Sequence, residues 1–311
     1  MEEYIIKKLL VIGSANQDVT LRLTTFPLPG QCLIADGVST QLGGKGLNQA
    51  VAAARQGADV TFAGRIGCDG AGNAMVALLE REGVHNAVTH DPQAPTGSAY
   101  ILLERNSENR IIVHGGANQT FSPEAVEAME ALVDSHDLLL LQLEISMWAI
   151  ERVLQRAAQG RKTVVLDGGP ARPGLLPMMR GIFCVSPNET ELAVLTQMPC
   201  RTHEERIAAC RRILEHGVQA VLLKLGSSGS LWVTADGEST FPACQGIRAV
   251  DTTGAGDAFT AAFACALLRG ETEREAIRYA TRAGAAAVTK HGAIDAMPSR
   301  QEILSMPDPL R

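Results

Sequence analysis

Asp251-Thr252-Thr253-Gly254-Ala255-Gly256-Asp257 runs straight into Ala258-Phe259-Thr260-Ala261-Ala262-Phe263-Ala264-Cys265-Ala266-Leu267-Leu268. The first segment is a small-residue turn, and the second is an apolar, alanine-rich helix. Small residues at 254–256 leave the backbone N–H groups bare at a helix start, where four donors lack helical acceptors and the macrodipole is positive. Such an end attracts an anion, most often a phosphate. Asp257, in the same first turn, serves either as a helix cap or as a base that takes a hydroxyl proton while the amides steady charge on a transferring group.

Outward from this turn the chain alternates short apolar runs with helical segments. Leu9-Leu10-Val11-Ile12 before Gly13 reads as a strand buried on both faces. Strands are predicted at 59–64, 138–143, 163–167, 182–186 and 220–225, and helices at 51–56, around 75–79, from Ser122 to about Val133, at 147–159 and at 204–216. This rhythm predicts an α/β fold, a doubly wound and mostly parallel sheet flanked by helices. Two stretches interrupt it. Residues 19–41 alternate polar and apolar around Phe26-Pro27-Leu28-Pro29-Gly30, and residues 97–114 read as a hairpin turning at Arg105-Asn106-Ser107-Glu108-Asn109. Together they predict a small β-sheet lid on a single domain spanning 1–311.

The 311 residues carry 28 Lys plus Arg against 34 Asp plus Glu, a net charge of −6 without long runs of either sign. That balance argues against a nucleic-acid or anionic-membrane surface and favours a small-molecule partner. Seven scattered cysteines without a C-x-x-C predict neither a disulfide framework nor a zinc site. The opening Met1-Glu2-Glu3-Tyr4 is acidic where a signal peptide is basic, and no apolar run approaches the roughly 20 residues of a membrane span. A cytoplasmic enzyme is the expectation.

Three further groups of residues sit where ligands bind in open α/β sheets. Asn16 and Asp18 follow the first strand, although turns favour both residue types anyway. Gly43-Gly44-Lys45-Gly46-Leu47-Asn48 is no P-loop, because Gly46 stands where Ser or Thr is required. It reads as a glycine turn at a helix entry, either displaying surface polar groups or gripping hydroxyls with Lys45 and Asn48. Ser186-Pro187-Asn188-Glu189-Thr190-Glu191 reads as an acidic helix start.

The string 251–257 matches D-T-x-G-A-G-D, and the chain resembles the ribokinase-like (PfkB) sugar and nucleoside kinases. Further motifs of that family stand in order: N-x-D at Asn16 and Asp18, G-G-K-G-x-N-Q-A from Gly43, and N-x-x-E at Asn188 and Glu191. The form of the second is nearest to the ribokinase branch. The resemblance implies a kinase that moves the γ-phosphate of ATP to a primary hydroxyl of a pentose, with D-ribose giving ribose 5-phosphate. Asp257 is then the base and Gly254, Ala255 and Gly256 the anion hole. Asn16, Asp18, Gly44, Lys45, Gly46, Asn48 and Glu144 hold the sugar. Asn188, Lys224, Gly226, Ser227, Gly229, Gly256 and Thr281 lie along the nucleotide, and Glu191 acts on Mg²⁺ through water. Asp251 and Thr253, with backbone at Ala287, Lys290 and Gly292, hold K⁺. The pattern departs at three positions: Ala296 replaces an oxygen-bearing ligand, Thr281 a His, and Lys224 a Thr. Deoxyribose, a nucleoside or a ketohexose are alternative acceptors, and a non-catalytic sugar or nucleotide sensor is the rival class. An exposed lid edge predicts a homodimer paired through the lid strands.

Overall fold

The computed structural model describes residues 7–105 and 108–310. The hairpin turn at Asn106 and Ser107 and the acidic opening from Met1 to Tyr4 lie outside them. In chain order the elements are β1 (Lys8–Ile12), β2 (Asn16–Leu23), β3 (Gly37–Gly43), α1 (Lys45–Arg55), β4 (Asp59–Ala63), β5 (Arg65–Gly67), α2 (Gly70–Arg81), β6 (His85–Asn86), β7 (Thr89–Asp91), β8 (Gly97–Glu104) and β9 (Asn109–His114). They continue with α3 (Pro123–Ser135), β10 (Leu138–Leu141), α4 (Met147–Gln159), β11 (Thr163–Asp167), β12 (Cys184–Ser186), α5 (Glu189–Thr196), α6 (His203–Leu214) and β13 (Ala220–Lys224). The last are β14 (Ser230–Thr234), β15 (Gly237–Phe241), α7 (Ala255–Leu268), α8 (Glu273–Ala287) and α9 (Arg300–Ser305).

The main sheet runs β15-β14-β13-β12-β11-β10-β1-β4-β6, parallel except for the antiparallel β14 and β15 at one edge. Its strands are apolar on both faces because helices cover both. The period of two sorts the side chains cleanly. Leu9, Val11, Leu138, Leu140, Val165 and Leu222 face α1, α2, α7 and α8. Leu10, Ile12, Leu139, Leu141, Leu166 and Leu223 face α3, α4, α5 and α6. Helix α7 is buried almost all round, so its apolar, alanine-rich sequence has no polar face. That helix carries the turn with which the sequence reading began.

A second, four-stranded sheet, ordered β3-β2-β8-β9, forms from the two stretches expected to make the lid. Its first strand begins at Asn16, three residues earlier than the sequence suggests, because Asn16 already pairs with Gly43 and Gly97. Three other boundaries move for local reasons. Strand β10 stops at Leu141, since the Leu143 N–H bonds to Gly169 O instead of continuing the ladder. Strand β12 starts at Cys184, since the Ile182 N–H closes a turn on Met179 O. Helix α1 begins at Lys45, six residues before the predicted Val51, so Lys45 and Asn48 stand on a helix and not on a glycine turn.

Candidate active site

Strand β1 lies between β10 and β4. From it the chain first moves out to β4 and β6, then returns to build β10 through β13 on the other side, so the order reverses at the β1/β10 boundary. Loops leaving the carboxyl ends of such strands diverge and open a crevice. Into this one come Ser14 after β1, Glu144 after β10, Asp167 at the end of β11, Lys224 at the end of β13, and the start of α7.

Helix α1 can enter the crevice only because of its glycines. Gly44 has φ +95°, and a Cβ there would stand 2.9 Å from Asn16 N and Ser14 O. A Cβ on Gly46 would lie 2.7 Å from Gly13 Cα, so the helix start rests directly on the end of β1. Glu144 caps this start from across the sheet, accepting from Lys45 N at 3.1 Å and from the Ser14 hydroxyl. Burial raises the Glu144 pKa, against the opposing pull of Lys45 and Ser14.

The first turns of α1 aim three donors at Asp257. Asn48 Nδ2 reaches Oδ2 at 2.8 Å; Gln49 Nε2 and Lys45 Nζ reach Oδ1 at 3.1 and 3.4 Å. Asp257 is only 5% exposed. Burial works against the Lys45 charge, but Asp167, then Asp257, Glu191 and Glu144 overcome it and hold the ammonium well above its ordinary pKa. Lys45 thus stays charged and, with Asn48 and Gln49, fixes the orientation of the Asp257 carboxylate.

Asn16 and Asp18 are presented differently. Asn118 donates from Nδ2 to Asn16 Oδ1 at 2.8 Å and to Ala15 O at 3.1 Å, and accepts from Ala15 N at 3.1 Å. This ties up the Asn16 oxygen and leaves its amide N–H groups for a ligand. The Asp18 carboxylate occupies the space over Gly43, where a Cβ would fall 2.2 Å from Oδ2. It has no protein hydrogen bond among the described residues. Burial, with the neighbouring Glu144 and Asp257 charges, raises its pKa to about 7.

On the opposite side Gly254, at φ +74°, starts α7 without any side-chain cap. The N–H groups of Gly256 and Asp257 have no protein acceptor among the described residues, while that of Ala255 closes a 3.3 Å turn on Thr252 O. The N–H of Gly254 likewise has no protein acceptor among the described residues, so Gly254, Gly256 and Asp257 offer free donors at this helix start. Asn188 and Glu191 form a reciprocal capping box at the start of α5, each contact 2.8 Å. That box engages Glu191 Oε2. Oε1 points toward Gly169, where a Cβ would lie 2.3 Å from it and 3.0 Å from Lys45 Cε. Gly226 (φ +56°) has open space above it, suited to a close ligand, whereas a Cβ on Gly229 would strike Phe241 O at 2.0 Å, so that glycine serves the sheet. Ser227 is exposed. Thr281 is buried and donates to Ile277 O at 2.8 Å inside α8, so it does not offer its proton to a ligand.

Beyond the cradle, Asp251 accepts from Thr253 N at 2.9 Å, Thr253 Oγ1 at 2.7 Å and Gly292 N at 2.9 Å. Burial pushes its pKa up, but these donors prevail and lower it. The Lys290 and Gly292 carbonyls take no protein donor among the described residues, while Ala287 O accepts from Lys290 N. Among the described residues no three His, Cys, Asp or Glu side chains converge as a metal site. A divalent ion would therefore depend on phosphate oxygens and water, with Glu191 Oε1 as the available protein oxygen.

Three residues of the site escaped the sequence reading. Asp167 is fully buried and receives Lys224 Nζ at 2.9 Å, Thr260 Oγ1 at 3.0 Å, Gly169 N at 3.1 Å, Gln49 Nε2 at 3.3 Å and Lys45 Nζ at 3.4 Å. Burial raises its pKa, yet Lys224 and then Lys45 pull it below the ordinary carboxylate range. The available signal was a charged residue closing the apolar run Thr163-Val164-Val165-Leu166-Asp167. Gln49 bridges Asp167 and Asp257 and accepts from Gln142 Nε2 at 2.5 Å. Asn118, in a short 3-10 turn over Gly116–Gln119, carried no local signal.

Residues 6–300 match the pfkB family carbohydrate kinase profile. The chain is 36% identical over 299 residues to a ribokinase of Haemophilus influenzae, covering 96% of this chain and 97% of that one. It is 33% identical over 295 residues to a deoxyribokinase of Salmonella typhi, covering 94% and 96%. Its fold is similar to that of Arabidopsis thaliana ribokinase complexed with ribose and ATP, with a TM-score of 0.88, 36% identity, and 96% and 98% of the two chains covered. With the glycine-built crevice, the open start of α7 and the Asp257 carboxylate in one place, the chain belongs to the pfkB family of carbohydrate kinases.

Proposed function

We propose that this protein is an ATP-dependent sugar kinase phosphorylating a primary hydroxyl of a pentose, D-ribose first among them. One observation carries the reading: a buried carboxylate, Asp257, is held by three donors from α1 at the uncapped start of α7. A base and an anion cradle thus share one helical turn. The acceptor hydroxyl gives its proton to Asp257 as its oxygen bonds to phosphorus, and the bridging bond to the departing diphosphate breaks. The Gly256 and Asp257 amides face the charge on the phosphoryl oxygens. Asn16 donates to a sugar oxygen, Asp18 accepts from sugar hydroxyls, and Lys45 and Asn48 keep the base aligned.

Residues 224–229 border the nucleotide. A hydrated Mg²⁺ is assigned to Glu191, supplying charge neutralisation at the phosphates when bound. K⁺ is assigned to the loop of Asp251, Thr253, Ala287, Lys290 and Gly292; Ala296, without a side-chain oxygen, makes this the weaker fit. The chain acts as one kinase domain with the four-stranded sheet as lid. The lid face opposite Asp18 leaves Val38, Tyr100 and Ile112 exposed, a contiguous apolar surface that supports a homodimer.

Deoxyribose is the second acceptor to consider, since relatives of similar identity include a deoxyribokinase. Initial rates of ADP release with MgATP and K⁺ over D-ribose, 2-deoxyribose, fructose and adenosine decide between them. A kcat/KM for D-ribose at least about tenfold above the others supports the proposal. A better rate on another acceptor moves the name and keeps the mechanism; no turnover on any of them refutes it.

A further inference from the structure

Asp167 holds two ammonium groups at the start of α7, one on each carboxylate oxygen. Lys45 sits on Oδ1 and extends to Asp257, on the acceptor side. Lys224 sits on Oδ2 and reaches the preceding residue of the same helix, where a Cβ on Gly256 would come 3.7 Å from Lys224 Nζ. With Asp167 already taking five donors, little capacity remains for a ligand, and the residue acts as an anchor.

Lys224 is not saturated in the same way. Its side chain is 13% exposed, and its ammonium has Asp167 as its only hydrogen-bonding partner among the described residues, which leaves two N–H bonds. Those bonds lie beside the unoccupied amides of Gly256 and Asp257, at the positive end of α7. An anion brought against the two remaining N–H bonds of Lys224 and the positive start of α7 would gain charge-assisted hydrogen bonds from both. The strand end that supplies Lys224 is fixed independently, by the 2.8 Å bond from its N–H to Pro187 O.

We propose that Lys224 is a catalytic residue that donates to an oxygen of the phosphoryl group in flight, jointly with the α7 amides. This rests on the kinase reading and adds the assignment of a side chain to the transferring group itself. The acceptor oxygen–phosphorus bond forms and the bridging oxygen–phosphorus bond breaks. The acceptor proton goes to Asp257, the bond's electron pair leaves with ADP, and Lys224 remains protonated throughout. Asp167 is its positioning residue, aiming the ammonium and lowering the cost of keeping it charged.

The test uses K224M, with K224Q, whose amide can still donate to Asp167, wherever K224M does not fold. Calorimetry in Mg²⁺ and D-ribose compares ADP alone with ADP plus aluminium fluoride, a mimic of the phosphoryl group in flight. Loss of the ammonium is expected to weaken the fluoride complex by about 10- to 100-fold with ADP and D-ribose affinities unchanged. It is also expected to lower kcat by about 10²–10³-fold at constant KM for D-ribose. An equal loss for ADP alone would place Lys224 on the diphosphate and overturn the assignment, as would undiminished binding of the fluoride complex. Failure of the unaltered protein to turn over any sugar refutes the kinase reading itself; normal turnover in K224M refutes only the role of Lys224.

Discussion

Asp257→Asn separates the chemistry of the site from its architecture. The carboxylate receives Asn48 Nδ2 on one oxygen and both Gln49 Nε2 and Lys45 Nζ on the other. An amide keeps the shape and removes the base. Loss of proton abstraction is expected to lower kcat about 10³-fold, or about 4 kcal/mol in the barrier. Whichever way the amide turns, its NH₂ faces a donor, which costs about 1–3 kcal/mol of stability. Lys45 is not left unpaired, because Asp167 still holds it. The expected result is therefore a folded protein with a lower Tm, D-ribose binding retained in calorimetry, and ADP release near background in a coupled assay. A kcat above about a tenth of the parental value, more than any loss of a base permits, would remove Asp257 from the reaction and leave it a helix cap.

The remaining expectations concern the acceptor side and the lid. Asp18 has its folded pKa raised to about 7 from 3.8, so between about pH 4 and 7 the folded state binds more protons than the unfolded one. Stability is lost as pH rises through that window and levels off above it, and Asp18→Asn should flatten this limb of a Tm-against-pH profile; an unchanged limb in the variant would refute the assignment. Sugar affinity should rise around the folded pKa of about 7, as the carboxylate gains its charge, and calorimetry of D-ribose from about pH 6 to 8 would show it. Asn118→Ala frees the Asn16 amide, with an expected rise of about tenfold in KM for the sugar and a smaller change in kcat; equal changes in both would argue against a positioning role. Ile112→Glu, on the lid face opposite Asp18, should shift sedimentation toward monomer, and an unaltered sedimentation profile would show that this face is not the contact.

Much of this was legible in the sequence because the information is local. Asp257, its glycine turn and the helix behind it occupy one run of 18 residues, from 251 to 268, and buried strands announce themselves by composition. Lys45 and Asn48 were legible as residues but not as geometry. Only the rest of the fold reveals that Gly46 lets α1 start against Gly13 and that Glu144 caps it from 99 positions away. Asp167 was the hardest to see. Its side-chain donors come from α1, β13 and α7, between 57 and 122 positions distant, and no spacing rule reaches so far. Asn118 escaped for the same reason, since its side-chain partners are Ala15 and Asn16, 103 and 102 residues before it.

The four-stranded sheet begins at Asn16, so the two groups proposed to meet the sugar, Asn16 and Asp18, belong to a different sheet from the strand ends and helix starts that hold the proposed base and cradle. The Asn16 side chain is pinned by Asn118, whereas the Asp18 carboxylate has no protein hydrogen bond among the described residues. On the proposed reading, the groups that face the acceptor and the group that takes its proton are thus carried by different parts of the chain. On that reading, substitutions in the four-stranded sheet that leave Asn16, Gly43 and Gly44 in place, where it rests on the start of α1, give an engineer, or natural drift, a short stretch of sequence in which to change the substrate while the chemistry is inherited.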